Sequence, residues 1–133
     1  MIKSLNLKKK KQNNKKKTNS YNRYRSPVCL FVYNKNHIIK KVLNSISNCR
    51  NFSKHKIIIF SDNYKGDKDK KKVQEVRKNL NNFQKKNSNV VIFFRNKNFG
   101  LKKNLTHGIN QIITKYKKII VLEDDLILSK DFF

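Results

Sequence analysis

The chain has 133 residues, which accommodates one domain and excludes a large two-domain enzyme. Its 33 Lys/Arg against 8 Asp/Glu give a formal net charge of +25, a surface that adheres to polyanions such as nucleic acid, anionic membrane or phosphorylated small molecules. The same Lys- and Asn-rich composition, with only 3 Gly and 1 Pro, also follows from an A/T-rich coding sequence, so charge by itself names no partner.

Residues 1–26 are low in complexity and hold ten Lys/Arg and no acid. Such a segment buries too little apolar surface to offset its conformational entropy and is expected to be a disordered basic tail. Its functional use would be contact with anionic membrane or nucleic acid, with Tyr21 and Tyr24 available to stack; the plainer reading is a solvated tail. No apolar h-region follows the basic start, and no apolar run approaches the roughly 20 residues that span a bilayer. The expected location is therefore the cytoplasm, with a peripheral position at the membrane surface as the variant. Cys29 and Cys49 stand in no Cys-x-x-Cys motif and read as reduced, partly buried thiols.

Order is expected from Pro27, so residues 27–133 form the domain. VCLFVY at 28–33 is an apolar run of strand length. Ile39, Val42, Leu43 and Ile46 then mark one face of a helix. IIIF at 57–60 is a second strand, closed by Ser61, Asp62 and Asn63. Asp67 or Asp69 is placed as N-cap of a helix whose buried stripe is Val73, Val76, Leu80 and Phe83. VVIFF at 90–94 is a third strand, with Phe93 and Phe94 read as core. Arg95 to Gly100 turn into a helix with Leu101, Leu105, Ile109, Ile112 and Ile113 on one side. Residues 119–122 are a fourth strand that ends in Glu123, Asp124 and Asp125. Strands that are apolar throughout and alternate with helices indicate an α/β fold: an open, mostly parallel sheet with helices on both faces.

In such sheets ligands bind beyond the carboxyl ends of the strands. The polar residues that should converge there are Tyr33, Asn34 and Lys35, then Asp62 and Asn63, then Arg95, Asn96 and Asn98, then Glu123, Asp124 and Asp125. No Gly-x-Gly-x-x-Gly follows the first strand and no P-loop is present. A diphosphate must then be neutralised differently, and a hard cation held by carboxylates does this. Alternation along a strand keeps the three acids from gripping one ion together, but a turn at the strand end can bring one or two to the ligand. His37, His55 and His107 have no metal-ligand spacing and read as structural or exposed.

FVYN, IIIFSDN, RNKNFGLKKNLTHGI and IIVLEDDLILSKDFF, in that order and spacing, resemble the N-terminal half of GT-A glycosyltransferases. The likeness is to family 2-like and N-acetylglucosaminyltransferase I-like bacterial sugar transferases with a Glu-Asp-Asp motif. It covers nearly everything after Pro27. The resemblance implies a nucleotide-sugar donor, an unspecified acceptor (glycan, lipid or protein), and Mn2+ or Mg2+ as cofactor. It implies that Asp62 and Tyr33 meet the nucleotide base and that Lys35, where the family usually has Arg, approaches the nucleotide. It also implies that Lys103 lies near the donor, that Glu123 and Asp124 face ribose and sugar, and that Asp125 binds the metal. The catalytic base and acceptor pocket belong to the C-terminal half of such folds, and Asp131 reads as part of a turn. The chain is thus expected to be a truncated, donor-binding half, incomplete or inactive alone, with an exposed fourth-strand edge and unpartnered LIL and FF segments that invite aggregation or a completing polypeptide. The competing readings are a small basic nucleic-acid-binding α/β protein and another Mg2+-dependent α/β phosphate-binding protein.

Overall fold

Five-residue runs of Val, Ile, Leu and Phe can be satisfied on both faces only inside a layered sheet, and the computed structural model, which describes residues 25–133, shows that arrangement. The strands are β1 (Val28–Val32), β2 (Ile57–Ser61), β3 (Val90–Phe94) and β4 (Ile120–Glu123), and the helices α1 (Ile39–Ser47), α2 (Asp67–Lys86) and α3 (Leu101–Tyr116). All pairings are parallel, in the order β3-β2-β1-β4. The chain therefore steps outward from β1 through β2 to β3, and α3 carries it back across the sheet to β4 on the other side of β1. That reversal opens a crevice at the carboxyl ends of β1 and β4. The expected fold class is the observed one. The basic tail lies, up to residue 24, outside the described residues.

The two faces of the sheet are covered unequally. Val28, Leu30, Val32, Ile57, Ile59, Val90 and Leu122 face α1 and α2, where Ile39, Val42, Leu43, Ile46, Val76, Leu80 and Phe83 close a dry core. The other face carries Cys29, Phe31, Ile58 and Phe60 under the single helix α3, through Ile112, Leu105 and Ile109. In register across three strands, Phe31, Phe60 and Phe93 form a ladder of stacked rings with centroids 5.1 and 5.2 Å apart. Burial pushes the Cys29 thiol up to about 12, so it remains a neutral, packed side chain.

Three local expectations change. Gly66, in extended conformation, takes the N-cap position of α2, and Asp67 and Asp69 fall in its first turn; Asp69 reaches back to the β1 loop instead of capping. Phe94 is 39% exposed on the sheet edge, with the Arg77 guanidinium 5.2 Å from its ring, and is not core. The terminal FF and LIL segments are partly partnered: Leu128 and Phe133 pack on the α1/α2 core, and Phe133 stacks on the buried His55 ring at 4.6 Å. Leu126, Ile127, Phe132 and the β4 residue Val121 stay exposed. Among the described residues no helix is long and apolar enough to cross a membrane.

Candidate active site

A cavity of about 390 Å³ lies at the carboxyl end of the sheet. Its walls come from the end of β1 (Phe31 to Lys35), from Asp62 and Lys65, from Asn98, Gly100, Leu101 and Asn104 at the start of α3, and from Glu123 and Asp124. The segments that follow all four strands, three leading into helices and one into a turn, thus meet there, as the strand order requires.

The acidic corner is built by the turn after β4. Glu123 is the last strand residue, and Asp124 and Asp125 lie in the turn, so the alternation of the strand is broken where the carboxylates are needed. Asp124 is buried, and its Oδ2 accepts a hydrogen bond from the Tyr33 backbone N–H at 2.9 Å, tying β4 to β1. Its Oδ1 lies 3.1 Å from Lys35 Nζ, which also donates to Asp125 Oδ2 at 2.7 Å. One ammonium therefore bridges both carboxylates. The hydrogen bond from Lys35 holds the Asp125 carboxyl below its usual range, and that bond to Asp125 raises Lys35. Asp125 is half exposed and lies just outside the cavity wall, whereas Glu123 lines it.

Asp62 has a different set of partners. Its Oδ1 accepts from the backbone N–H of Asn63 (2.9 Å) and Phe99 (2.8 Å), and its Oδ2 from the N–H of Gly100 (2.9 Å) and from Asn98 Nδ2 (3.4 Å). A carboxylate offers about four lone-pair sites, so all of Asp62's acceptor capacity is used within the chain. It fixes the 98–100 turn, in which Gly100 adopts φ +74°, a conformation that favours glycine. Asp62, expected to meet a nucleotide base, lines the cavity and also acts as a buried strut of its wall.

Tyr33 and Asn34 are also held. The Tyr33 hydroxyl and Asn34 Nδ2 each donate to Asp69 at 2.9 Å, and the Lys65 N–H donates to the Tyr33 oxygen at 3.2 Å. The Asn34 bond, then the Tyr33 bond, hold the Asp69 carboxyl below its usual range. Asp69 also suits the first turn of α2, where the helix dipole favours an anion. Lys103 is not brought to the cavity: its ammonium lies 5.2 Å from the Phe99 ring on the outer side of the α3 start. Asp131 forms a 2.7 Å ion pair with Arg50 among exposed side chains and lies in a turn, as expected.

Sequence reasoning missed Asn104, Arg77 and Asp69. Arg77 donates to the carbonyls of Ser61, Asp62 and Arg95, gathering the ends of β2 and β3. Asn104 is 4% exposed on a helix, and its signal was its position, one turn after Gly100 on the face that should be apolar.

A search of curated proteins returns no match. The family model described as Glycosyl transferase family 2 matches residues 28–133, from the first residue of β1 to the end of the chain. A match over that span, on a parallel sheet whose strand ends converge on the acidic corner, places this chain in glycosyl transferase family 2.

Proposed function

We propose that the cavity takes a nucleotide-sugar donor and that the chain serves sugar transfer to an acceptor, with Mn2+ or Mg2+ held at Asp124 and Asp125. The observation that supports this best is the Lys35 bridge: two carboxylates converge on one cation beside a cavity of ligand size. Among the described residues no three His, Cys, Asp or Glu side chains form a complete cage. Hard cations often need only one or two carboxylates when substrate phosphates complete the shell, so the Asp124–Asp125 pair fits. When bound, such a cation supplies Lewis-acid stabilisation of charge on the leaving diphosphate.

The chain's own residues bind and orient. Tyr33 and Asn34, locked by Asp69, form one wall. Glu123 presents a carboxylate to donor hydroxyls from the lip. Lys35, released from the acids when they take a metal ion, offers its charge to phosphate oxygens. Asp62 and Asp69 are held by their own hydrogen bonds and Asp131 by Arg50, so none of these three is free to take an acceptor proton. The exposed Val121, Leu126, Ile127 and Phe132 suit cover by a further polypeptide segment, to which the acceptor side would belong.

Calorimetric titration with UDP, GDP, ADP, CDP and dTDP, each with and without Mn2+, tests the reading. At least one is expected to bind more tightly with Mn2+, and Asp125→Ala is expected to reduce that increment about tenfold or more, the scale of one charge-assisted contact. Asp125 suits the test because its side chain is half exposed and its only side-chain partner among the described residues is Lys35. Binding indifferent to both Mn2+ and Asp125 would refute the metal-dependent donor site. Lys35→Met gives an independent check: without nucleotide, its affinity for Mn2+ measured by electron paramagnetic resonance should rise, by up to about fivefold for loss of a partly exposed ion pair. An unchanged affinity would mean that the ammonium and the metal do not compete.

A further inference from the structure

Asn104 is 96% removed from solvent, lies on the cavity wall and is held in one orientation by a residue outside the cavity. Its Oδ1 accepts a hydrogen bond from Arg95 Nε at 3.0 Å. A guanidinium has donors only, so the carboxamide oxygen must face Arg95 and the NH2 group must face the other way. Arg95 cannot readily swing aside. Its guanidinium is packed between the rings of Phe60 (5.0 Å) and Phe99 (4.7 Å), and its backbone is clamped by Arg77 and Ser61. The Asn104 Nδ2 group makes no hydrogen bond to the described residues, although its residue is buried. Among the described residues the fully buried side-chain atoms without a partner are His55 Nε2 and Arg95 Nη2, so Asn104 Nδ2 is not sealed off: it opens toward the cavity, where a bound acceptor would give it a partner.

We infer that Asn104 is a donor-recognition residue, giving an Nδ2–H hydrogen bond to an acceptor oxygen of the nucleoside diphosphate part of the ligand, and that Arg95 is its positioning residue. This rests on the cavity being a nucleotide-sugar site and adds a specific contact to it. Nδ2 can only donate, so its partner is an acceptor atom, and ribose, diphosphate and base-carbonyl oxygens are the acceptors a nucleoside diphosphate offers in greatest number; Lys35 and Lys65 on the same cavity wall suit an anionic ligand. The contact is independent of the Asp124–Asp125 pair, so it acts with or without metal.

The test is Asn104→Asp, which keeps the shape and the Arg95 partner and replaces the donor with an acceptor. Titration with the same panel of nucleoside diphosphates, with and without Mn2+, should show an affinity at least about tenfold lower than wild type under both conditions, the scale of one lost hydrogen bond made into a repulsive contact. The thermal midpoint should stay near wild type, since Arg95 keeps an acceptor. In wild type, the Asn104 side-chain amide resonances should shift on adding the tightest-binding member of the panel, a readout that does not depend on any variant folding. If wild type binds the nucleotide while Asn104→Asp binds it equally well and the amide resonances do not move, the assignment of Asn104 is overturned and the donor-site reading stands. If wild type binds no member of the panel, both are overturned.

Discussion

Asp62→Ala is expected to lower stability by on the order of 3 kcal/mol or more, and to lower the thermal midpoint by roughly 10–20 °C for a domain of this size. The reason is the number of groups that depend on one side chain. Three backbone N–H groups and one amide converge on the carboxylate, and two of them, at Phe99 and Gly100, belong to the turn that starts α3. Their removal leaves donors facing a void, and hydrogen bonds to a charged acceptor are worth about 1.5–3 kcal/mol each before relaxation. Asp62→Asn separates this account from a base-contacting role. The amide keeps one oxygen for two donors but turns an NH2 against the other two, so it should recover about half of the lost stability. Differential scanning calorimetry of both variants decides the matter. If Asp62 served only a nucleotide base, Asp62→Asn would melt like wild type and alter only which nucleoside diphosphate binds.

Asp62 also shows how far the sequence could be read. Its position after an apolar run placed it at the carboxyl end of a strand, correctly, because burial on both faces of a sheet is written in consecutive residues. The same local logic located β1 to β4 and the buried stripes of α1 and α2, and put Glu123, Asp124 and Asp125 at a strand end. What Asp62 does there was not legible, because its partners at 98–100 lie 36 to 38 residues away and are mostly backbone groups, which look alike in any sequence. Lys35 was placed near the nucleotide, but its bridge to Asp124 and Asp125 spans 90 residues and depends on β1 and β4 being neighbours. Lys103 lies off the cavity wall for a geometrical reason: residues one apart on a helix point about 100° apart, and Asn104 is the one that lines the cavity. Phe133 was read as unpartnered because its stacking on His55 joins segments distant in the chain.

Gly108 carries the second large expectation. A Cβ built there would lie 2.6 Å from Phe31 Cε1, 2.9 Å from Phe31 Cζ and 3.1 Å from a Phe60 ring carbon. These rings cannot simply turn away. Phe31 is stacked on Phe60, Phe60 on Phe93, and the Arg95 guanidinium covers the Phe60 ring. Gly108→Ala gains about 1 kcal/mol of helix propensity and meets an overpacking cost of about 1–3 kcal/mol, so it should be modestly destabilising. Gly108→Val adds two further carbons and a β-branched side chain, and should lose more than about 3 kcal/mol or fail to fold. The function should follow the packing. Gly108 lies about one helical turn from Asn104, and lifting α3 off Phe31 moves the wall formed by Gly100, Leu101 and Asn104, so Gly108→Ala should weaken nucleoside diphosphate binding as well as lower the melting temperature. Gly66 provides the contrast: a Cβ there meets nothing within 4 Å and its backbone is extended, so Gly66→Ser, with a hydroxyl suited to the N-cap, should melt at or slightly above wild type. A Gly108→Val chain that melts like wild type would mean that α3 does not press on the phenylalanine ladder, and that the cavity wall is set by Asp62 alone.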